Sequence, residues 1–139
     1  MTEQGREPSA PFGVAEVTGP SMYPTLAHGD RLLVQYGAAV RAGDVAVLRH
    51  PLQQDLLIVK RVAERREDGW WVLGDNPYAE GDSRVFGAVP EDLLLGRVRA
   101  RYRPRPQGQR SALGLLAWAF SAVRPVLSDR SVSRRLRAR

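Results

Sequence analysis

Two residues in this chain have the type and the surroundings for chemistry on an acyl group. Lys60 stands in the apolar run LLIVKRV, Leu56 to Val62, and is the only lysine; the other twenty Lys/Arg positions are all arginine. A guanidinium keeps its proton in proteins, whereas a lysine amine releases its proton once desolvated. Burial disfavours the ammonium and lowers its pKa, and an amine neutral near pH 7 is a competent general base. The ordinary alternative is a lysine snorkelling out of a strand. The hydroxyl for such a base lies in TGPSMYPTLAHGD, Thr18 to Asp30. Ser21 follows Gly19 and Pro20 on a tight turn, and Pro24 prevents simple strand continuation. A serine fixed on a turn projects its hydroxyl outward and leaves local backbone N–H groups to polarise an acyl oxygen. Taken alone, Ser21 is an ordinary turn serine.

A third stretch, LGDNPYAEGDSRVFGAVP from Leu73 to Pro90, crowds Asp75, Asn76, Glu80, Asp82, Ser83 and Arg84 into one loop. Asp82 and Arg84 flank Ser83 and can brace it. The carboxylates lack the spacing of a calcium loop, so no metal and no cofactor is expected. His28 in AHGD and His50 before Pro51 read as turn histidines rather than members of a triad. Met22, next to Ser21, reads both as core filling and as a wall of a substrate pocket.

These groups need a scaffold, and the turn signals GPS, HGD, AGD, HP, EDG, GDNP and EGD divide the chain into short strand-like runs. The runs are Gly13–Thr18, Arg31–Tyr36, Val45–Arg49, Leu56–Arg65, Trp70–Leu73 and Leu95–Tyr102. Short strands between Gly/Asp turns favour an all-β sandwich or barrel over a helical bundle. Residues 1–10 read as a disordered N-terminus, 11–104 as one domain, 105–111 as a Pro/Arg linker, 112–124 as a short apolar helix and 125–139 as a basic disordered tail.

The 139 residues suffice for one domain with a modest core, and the absence of cysteine excludes disulfides and thiolate chemistry. Charge is segregated. Residues 1–96 carry 9 Arg/Lys against 14 Asp/Glu, whereas residues 97–139 carry 12 Arg against the single acid Asp129. A basic end fits a solvated tail, nucleic acid, an anionic membrane surface or an acidic partner. No signal-peptide pattern and no run of spanning length is visible. The apolar stretch 112–123 fits a helix docked on the body or one lying at a membrane interface.

Together the chemical stretches resemble the type I signal peptidases (S26-like), Ser-Lys serine proteases. GPSMYPTL resembles the family's nucleophile box, GDVAVLRHP its second, LIVKRV its base box, and GDN followed by DSRVFG its last, in family order from Gly19 to about Pro90. The resemblance implies a mainly β, signal-peptidase-like barrel or sandwich, with Ser21 as nucleophile and Lys60 as general base. It also implies an oxyanion and substrate site around Ser21, Gly19 and Met22, supported by Asp75, Asn76, Glu80, Asp82, Ser83 and Arg84. Glu80 stands two residues before Asp82, where the family often has a serine. Gly19 stands where some members carry a hydroxyl, which leaves oxyanion stabilisation to backbone N–H, chiefly that of Ser21.

The short form, Glu80, WWVLGDNP and the Arg-rich end are similar in particular to the proteases of this type that mature nickel superoxide dismutase. The implied partner is a precursor polypeptide losing an N-terminal leader, with nickel superoxide dismutase precursor one candidate and a secretory precursor the alternative. The implied location is the cytoplasm, with peripheral contact at the inner membrane face through 112–139 left open. A self-cleaving repressor-like domain and a non-enzymatic nucleic-acid or membrane-surface module are the rivals; no specific nucleic-acid partner is expected.

Overall fold

The computed structural model describes residues 11–104 and 112–129. The expected disordered segment 1–10, the linker 105–111 and the tail from 130 onward lie outside the described residues. Among the described residues, seven strands form one antiparallel sheet: β1 (Phe12–Glu16), β2 (Arg31–Tyr36), β3 (Val45–His50), β4 (Gln53–Arg66), β5 (Gly69–Leu73), β6 (Leu94–Tyr102) and β7 (Val123–Pro125). Their order is β1-β2-β6-β3-β4-β5, with β7 also on β6. The fold is mainly β with a short C-terminal helix, and the sheet is open, with β1 and β5 at its ends, rather than a closed barrel.

The turn signals delimit β2 to the residue and the other five anticipated strands to within three. β3 is buried on both sides. Val45 and Val47 join one apolar cluster with Val17, Met22, Leu26, Leu32, Val34, Val98 and Val126. Ala46 and Leu48 join a second, with Val62, Val72, Val89 and Leu93. Alternation along a strand sends successive side chains to opposite faces, so β3 serves both cores.

The one-turn helix α1 (Ser83–Phe86) was not anticipated; Asp82 caps it by accepting the Arg84 amide. The apolar helix α2 (Ala112–Ser121) ends three residues earlier than the sequence suggests. Its last carbonyls find other partners. The Arg103 amide donates to the Ala122 carbonyl at 2.7 Å, and Arg101 Nη1 donates to the carbonyls of Ser121 and Ala122. With those carbonyls capped from β6, the chain extends into β7. Residues 125–129, expected to be disordered, instead lie on the body. Val126 is buried and donates its amide to Arg99, and Asp129 donates to the Gly43 carbonyl.

Leu48 is fully buried, whereas Leu52 on the following turn is exposed. Leu48→Ala is expected to lower unfolding stability by about 2–5 kcal/mol and Leu52→Ala by no more than about 0.5 kcal/mol, measured by urea titration.

Candidate active site

Lys60 lies on β4 opposite Ala46 of β3. Cross-strand partners share a face, so its stem runs beside Ala46 and between Ile58 and Val62, all members or neighbours of the second apolar cluster. β5 pairs with β4 only from Arg61 onward, where Arg61 faces Leu73. Beside Lys60 and the residues before it, β4 instead borders a cleft of about 350 Å³. Its lining is Glu16, Val17, Thr18, Ser21, Met22, His50, Leu56 to Lys60, Glu80 and Gly81. Ser21 and Lys60, 39 positions apart in sequence, thus share one cleft.

The residue Lys60 is 4% exposed. Burial holds its amine below the ordinary lysine pKa of 10.5; the Asp82 carboxylate opposes that shift and the Arg84 guanidinium reinforces it.

The loop that carries Ser21 is closed at its base. The Val17 amide donates to the Asp30 carbonyl and the Gly29 amide to the Val17 carbonyl, both at 2.8 Å. Met22 and Leu26 anchor its interior in the first apolar cluster, so Met22 is both core and cleft wall. Gly19 adopts a φ of +83°, which disfavours any side chain, and donates its amide to His28 Nδ1 at 3.0 Å. That amide is therefore committed to the turn, and Gly19 is not among the cleft residues. Its contribution is to shape the bend before Ser21 rather than to receive an oxyanion.

The segment Gly74–Asn76 grips this loop from behind. The Asn76 amide donates to the Ser21 carbonyl and Asn76 Nδ2 to the Pro20 carbonyl, each at 3.0 Å. Thr25 Oγ1 donates to Asp75 Oδ2 at 2.6 Å. A Cβ on Gly74 would stand 2.6 Å from the Ser21 carbonyl oxygen, so only glycine lets the two backbones approach this closely. Asp75 in turn accepts two hydrogen bonds from Arg61, from Nε and Nη2 at 2.8 Å, while Arg61 Nη1 donates to the Gly43 carbonyl at 2.7 Å.

Asp82 is the junction of the next layer. It accepts from the Gly74 amide, the Arg84 amide, and Arg84 Nε and Nη2. Burial alone would raise its pKa, but the Arg84 side chain and the two amides outweigh burial and hold the carboxyl below its ordinary value. Ser83 is buried and accepts the Val72 amide at its Oγ, which ties α1 to β5 and takes its hydroxyl away from the cleft. Glu80 lines the cleft, and its charge bears on Arg84; the carboxylate acting on Lys60 is that of Asp82.

The structure therefore collects Ser21, Met22, Lys60 and Glu80 at the cleft and places Gly19, Asp75, Asn76, Asp82, Ser83 and Arg84 behind it. His50 also lines the cleft, with its Nδ1 accepting the Leu52 amide and its ring edge-on to Phe86. Sequence reasoning missed Thr25, Arg61 and Gly74 as supports. Arg61 carried a readable signal, a charge directly after Lys60 in an apolar run; Thr25 and Gly74 carried none outside their boxes.

A serine and a desolvated amine in one cleft, on a mainly β scaffold, match the chemistry of serine-type peptidases. The chain belongs to the peptidase S24-like family, which it matches over residues 4–86. It is similar to the mitochondrial ATP-independent inner membrane protease subunit 1a of Arabidopsis thaliana, at 31% identity over 120 residues, covering 67% of this chain and 71% of the relative. It is also similar to the mitochondrial inner membrane protease subunit 1 of Schizosaccharomyces pombe, at 30% identity with coverages of 68% and 76%. The subunit of the same name in Mus musculus is 27% identical, with coverages of 70% and 79%.

The Arg61–Asp75 pair has both side chains only 4% exposed. Removing one partner of such a pair strands the other without hydration. Asp75→Ala is expected to cost about 3–5 kcal/mol in chemical denaturation, and Arg61→Met combined with Asp75→Leu markedly less than the sum of the two single changes.

Proposed function

We propose that this chain is a Ser-Lys endopeptidase that removes an N-terminal leader from a precursor polypeptide. The observation that carries the reading is that Lys60, desolvated and with a lowered pKa, lines the same cleft as the turn-borne Ser21. The neutral Lys60 amine takes the Ser21 hydroxyl proton as Oγ attacks the scissile carbonyl carbon. The Ser21 backbone N–H, held in place by the Asn76 contact to the Ser21 carbonyl, stabilises the oxyanion. The Lys60 ammonium then protonates the leaving amine. Neutral Lys60 then takes a proton from a water that attacks the acyl carbon, and returns it to Ser21 Oγ as the ester C–O bond breaks, which frees Ser21 and the neutral amine.

The substrate is an extended peptide beside residues 17–21 and the stretch of β4 before Arg61 that pairs with β3 but not with β5, bound largely through backbone hydrogen bonds. The sequence resemblance favours nickel superoxide dismutase precursor as substrate. The similarity to inner membrane proteases favours the alternative of a secretory precursor.

Purified protein incubated with each precursor is expected to generate one new N-terminus, read by sequencing of the products. Ser21→Ala and Lys60→Ala should each lower the rate by roughly three orders of magnitude or more while leaving the protein folded. Full cleavage by either variant would sink the dyad.

The rate should also follow the protonation of Lys60. kcat/KM is expected to rise with pH along a limb whose midpoint lies below 10.5. Asp82 raises the Lys60 pKa and Arg84 lowers it. Asp82→Asn should therefore move the limb to lower pH and Arg84→Gln to higher pH. Between the lowered folded-state pKa and 10.5 the unfolded chain binds the extra proton, so folding stability contributed at this site rises with pH across that window and is lost as pH falls through it. Lys60→Met should flatten that slope in denaturation experiments at paired pH values.

A further inference from the structure

Resting on the leader-removing reading above, we propose that His50 is a specificity residue. Its Nε2–H donates to an uncharged hydroxyl or amide side chain on the fifth leader residue before the cut.

The ring is fixed in both tautomer and orientation. His50 Nδ1 accepts the Leu52 amide at 3.1 Å, so the neutral imidazole carries its proton on Nε2. Phe86 meets the ring edge-on, with centroids 4.8 Å apart. His50 is half-buried and lines the cleft, yet Nε2 meets no partner among the described residues. A donor left unpaired away from water is unfavourable, and a ligand atom that accepts from it relieves the penalty.

The sheet sets the distance of this donor from the dyad. Ala46 lies opposite Lys60 and Leu48 opposite Ile58. Side chains alternate along a strand, so Ala46, Leu48 and His50 share one face. The Phe86 contact agrees, since Phe86 packs on the same apolar cluster as Ala46 and Leu48. From Ala46 to His50 is four residues, roughly 13 Å. An extended peptide covers that length in four residues and turns every second side chain to the same wall. With the cut residue beside Lys60, the third residue before the scissile bond meets Ile58. The fifth meets Leu56 and His50, which both line the cleft at its hairpin end despite the register shift after Arg49. Along β4 the cleft runs from Lys60 toward this end only, because β5 covers β4 from Arg61 onward. The leader lies there, since the retained part of the precursor is the bulkier one.

Chemistry narrows the side chain that fits. An apolar group leaves Nε2–H unpaired, and a basic group offers it no acceptor. A carboxylate accepts, but Glu16 and Glu80 line the same cleft and repel it. Their arginine neighbours, Arg31 across from Glu16 and Arg84 near Glu80, are not among the cleft residues. Uncharged acceptors remain: Ser, Thr, Asn and Gln.

The test uses alanine-based dodecapeptides, each with one residue set to Gln, Thr, Leu or Glu, and reads the cut by mass spectrometry. The wild-type chain is expected to cut after the fourth residue beyond Gln or Thr, so that moving the Gln one place moves the cut one place. Gln in place of Leu is expected to raise kcat/KM about threefold to tenfold, through KM rather than kcat. His50→Phe keeps a ring against Phe86 and removes the donor, so the cuts should scatter and the preference for Gln vanish. His50→Gln restores an N–H donor and should recover part of that preference. The same peptides, fluorescently labelled, are titrated against Ser21→Ala protein, where anisotropy reads binding without cleavage and Gln should again exceed Leu. If the wild-type chain cuts nothing while this binding preference holds and disappears with His50→Phe in the Ser21→Ala background, the Ser-Lys reading fails and the role of His50 stands. Equal binding of the Gln and Leu peptides, tighter binding of Glu than of Gln, or cuts indifferent to the Gln would each overturn the proposal. So would cuts in step with it at another spacing, or a loss in His50→Phe that slows every peptide by one factor and leaves the preference intact.

Discussion

Lys60 sits on a strand whose neighbours on the same face are Ala46, Ile58 and Val62, and an ammonium there loses hydration that apolar groups cannot replace. Two further charges stand near enough to matter, and they have opposite signs. The Asp82 carboxylate favours the ammonium, and the Arg84 guanidinium disfavours it. Arg84 is hydrogen-bonded to Asp82, and burial is the largest of the three influences, so the amine's pKa is lowered.

Lys60 shares its cleft with Ser21, and the loop that carries Ser21 is seated where a strand stops. β5 ends at Leu73, one residue before Gly74 meets the back of Ser21. The Gly74 amide is held by Asp82, and Asn76 holds the Ser21 and Pro20 carbonyls. Thus the same carboxylate that acts on the lysine also fixes the backbone segment that seats the serine. Position and protonation at the cleft are coupled through Asp82, although Asp82 itself is not among the cleft residues. The Asp82–Arg84 pair, which reads from sequence as a loop brace, has an electrostatic part as well.

How far the sequence carried depended on the range of each interaction. Local chemistry was legible. Gly/Asp turns delimit the strands, and a lone lysine in an apolar run marks Lys60. The mainly β fold and the C-terminal helix follow from the same signals. What was hidden depends on partners distant in the chain. Val123–Pro125 looks in sequence like the end of the helix and the start of a tail, because it has no periodicity of its own and becomes a strand only when it pairs with β6 and Arg101 takes the preceding carbonyls. The loss of the Gly19 amide to His28 was equally invisible, since no pattern tells which acceptor a turn amide will meet. α1 is too short for a hydrophobic period and exists through its Asp82 cap.

Three of the twenty arginines have a structural reason to be arginine. Three carboxylates with little exposure, Asp30, Asp75 and Asp82, are each held by two nitrogens of one guanidinium, from Arg103, Arg61 and Arg84. A planar fork with fixed donors satisfies both oxygens of a carboxylate at once, whereas an ammonium acts as a point charge on a flexible stem. Each of the three pairs also braces a segment near the cleft. Asp30 closes the Ser21 loop, Asp75 takes the Thr25 hydroxyl, and Asp82 takes the Gly74 amide. A lysine at any of these positions would leave carboxylate oxygens short of donors, and an arginine at position 60 would keep its proton regardless of burial. These three arginines hold carboxylates in place, whereas the lone lysine lies where burial lowers its pKa.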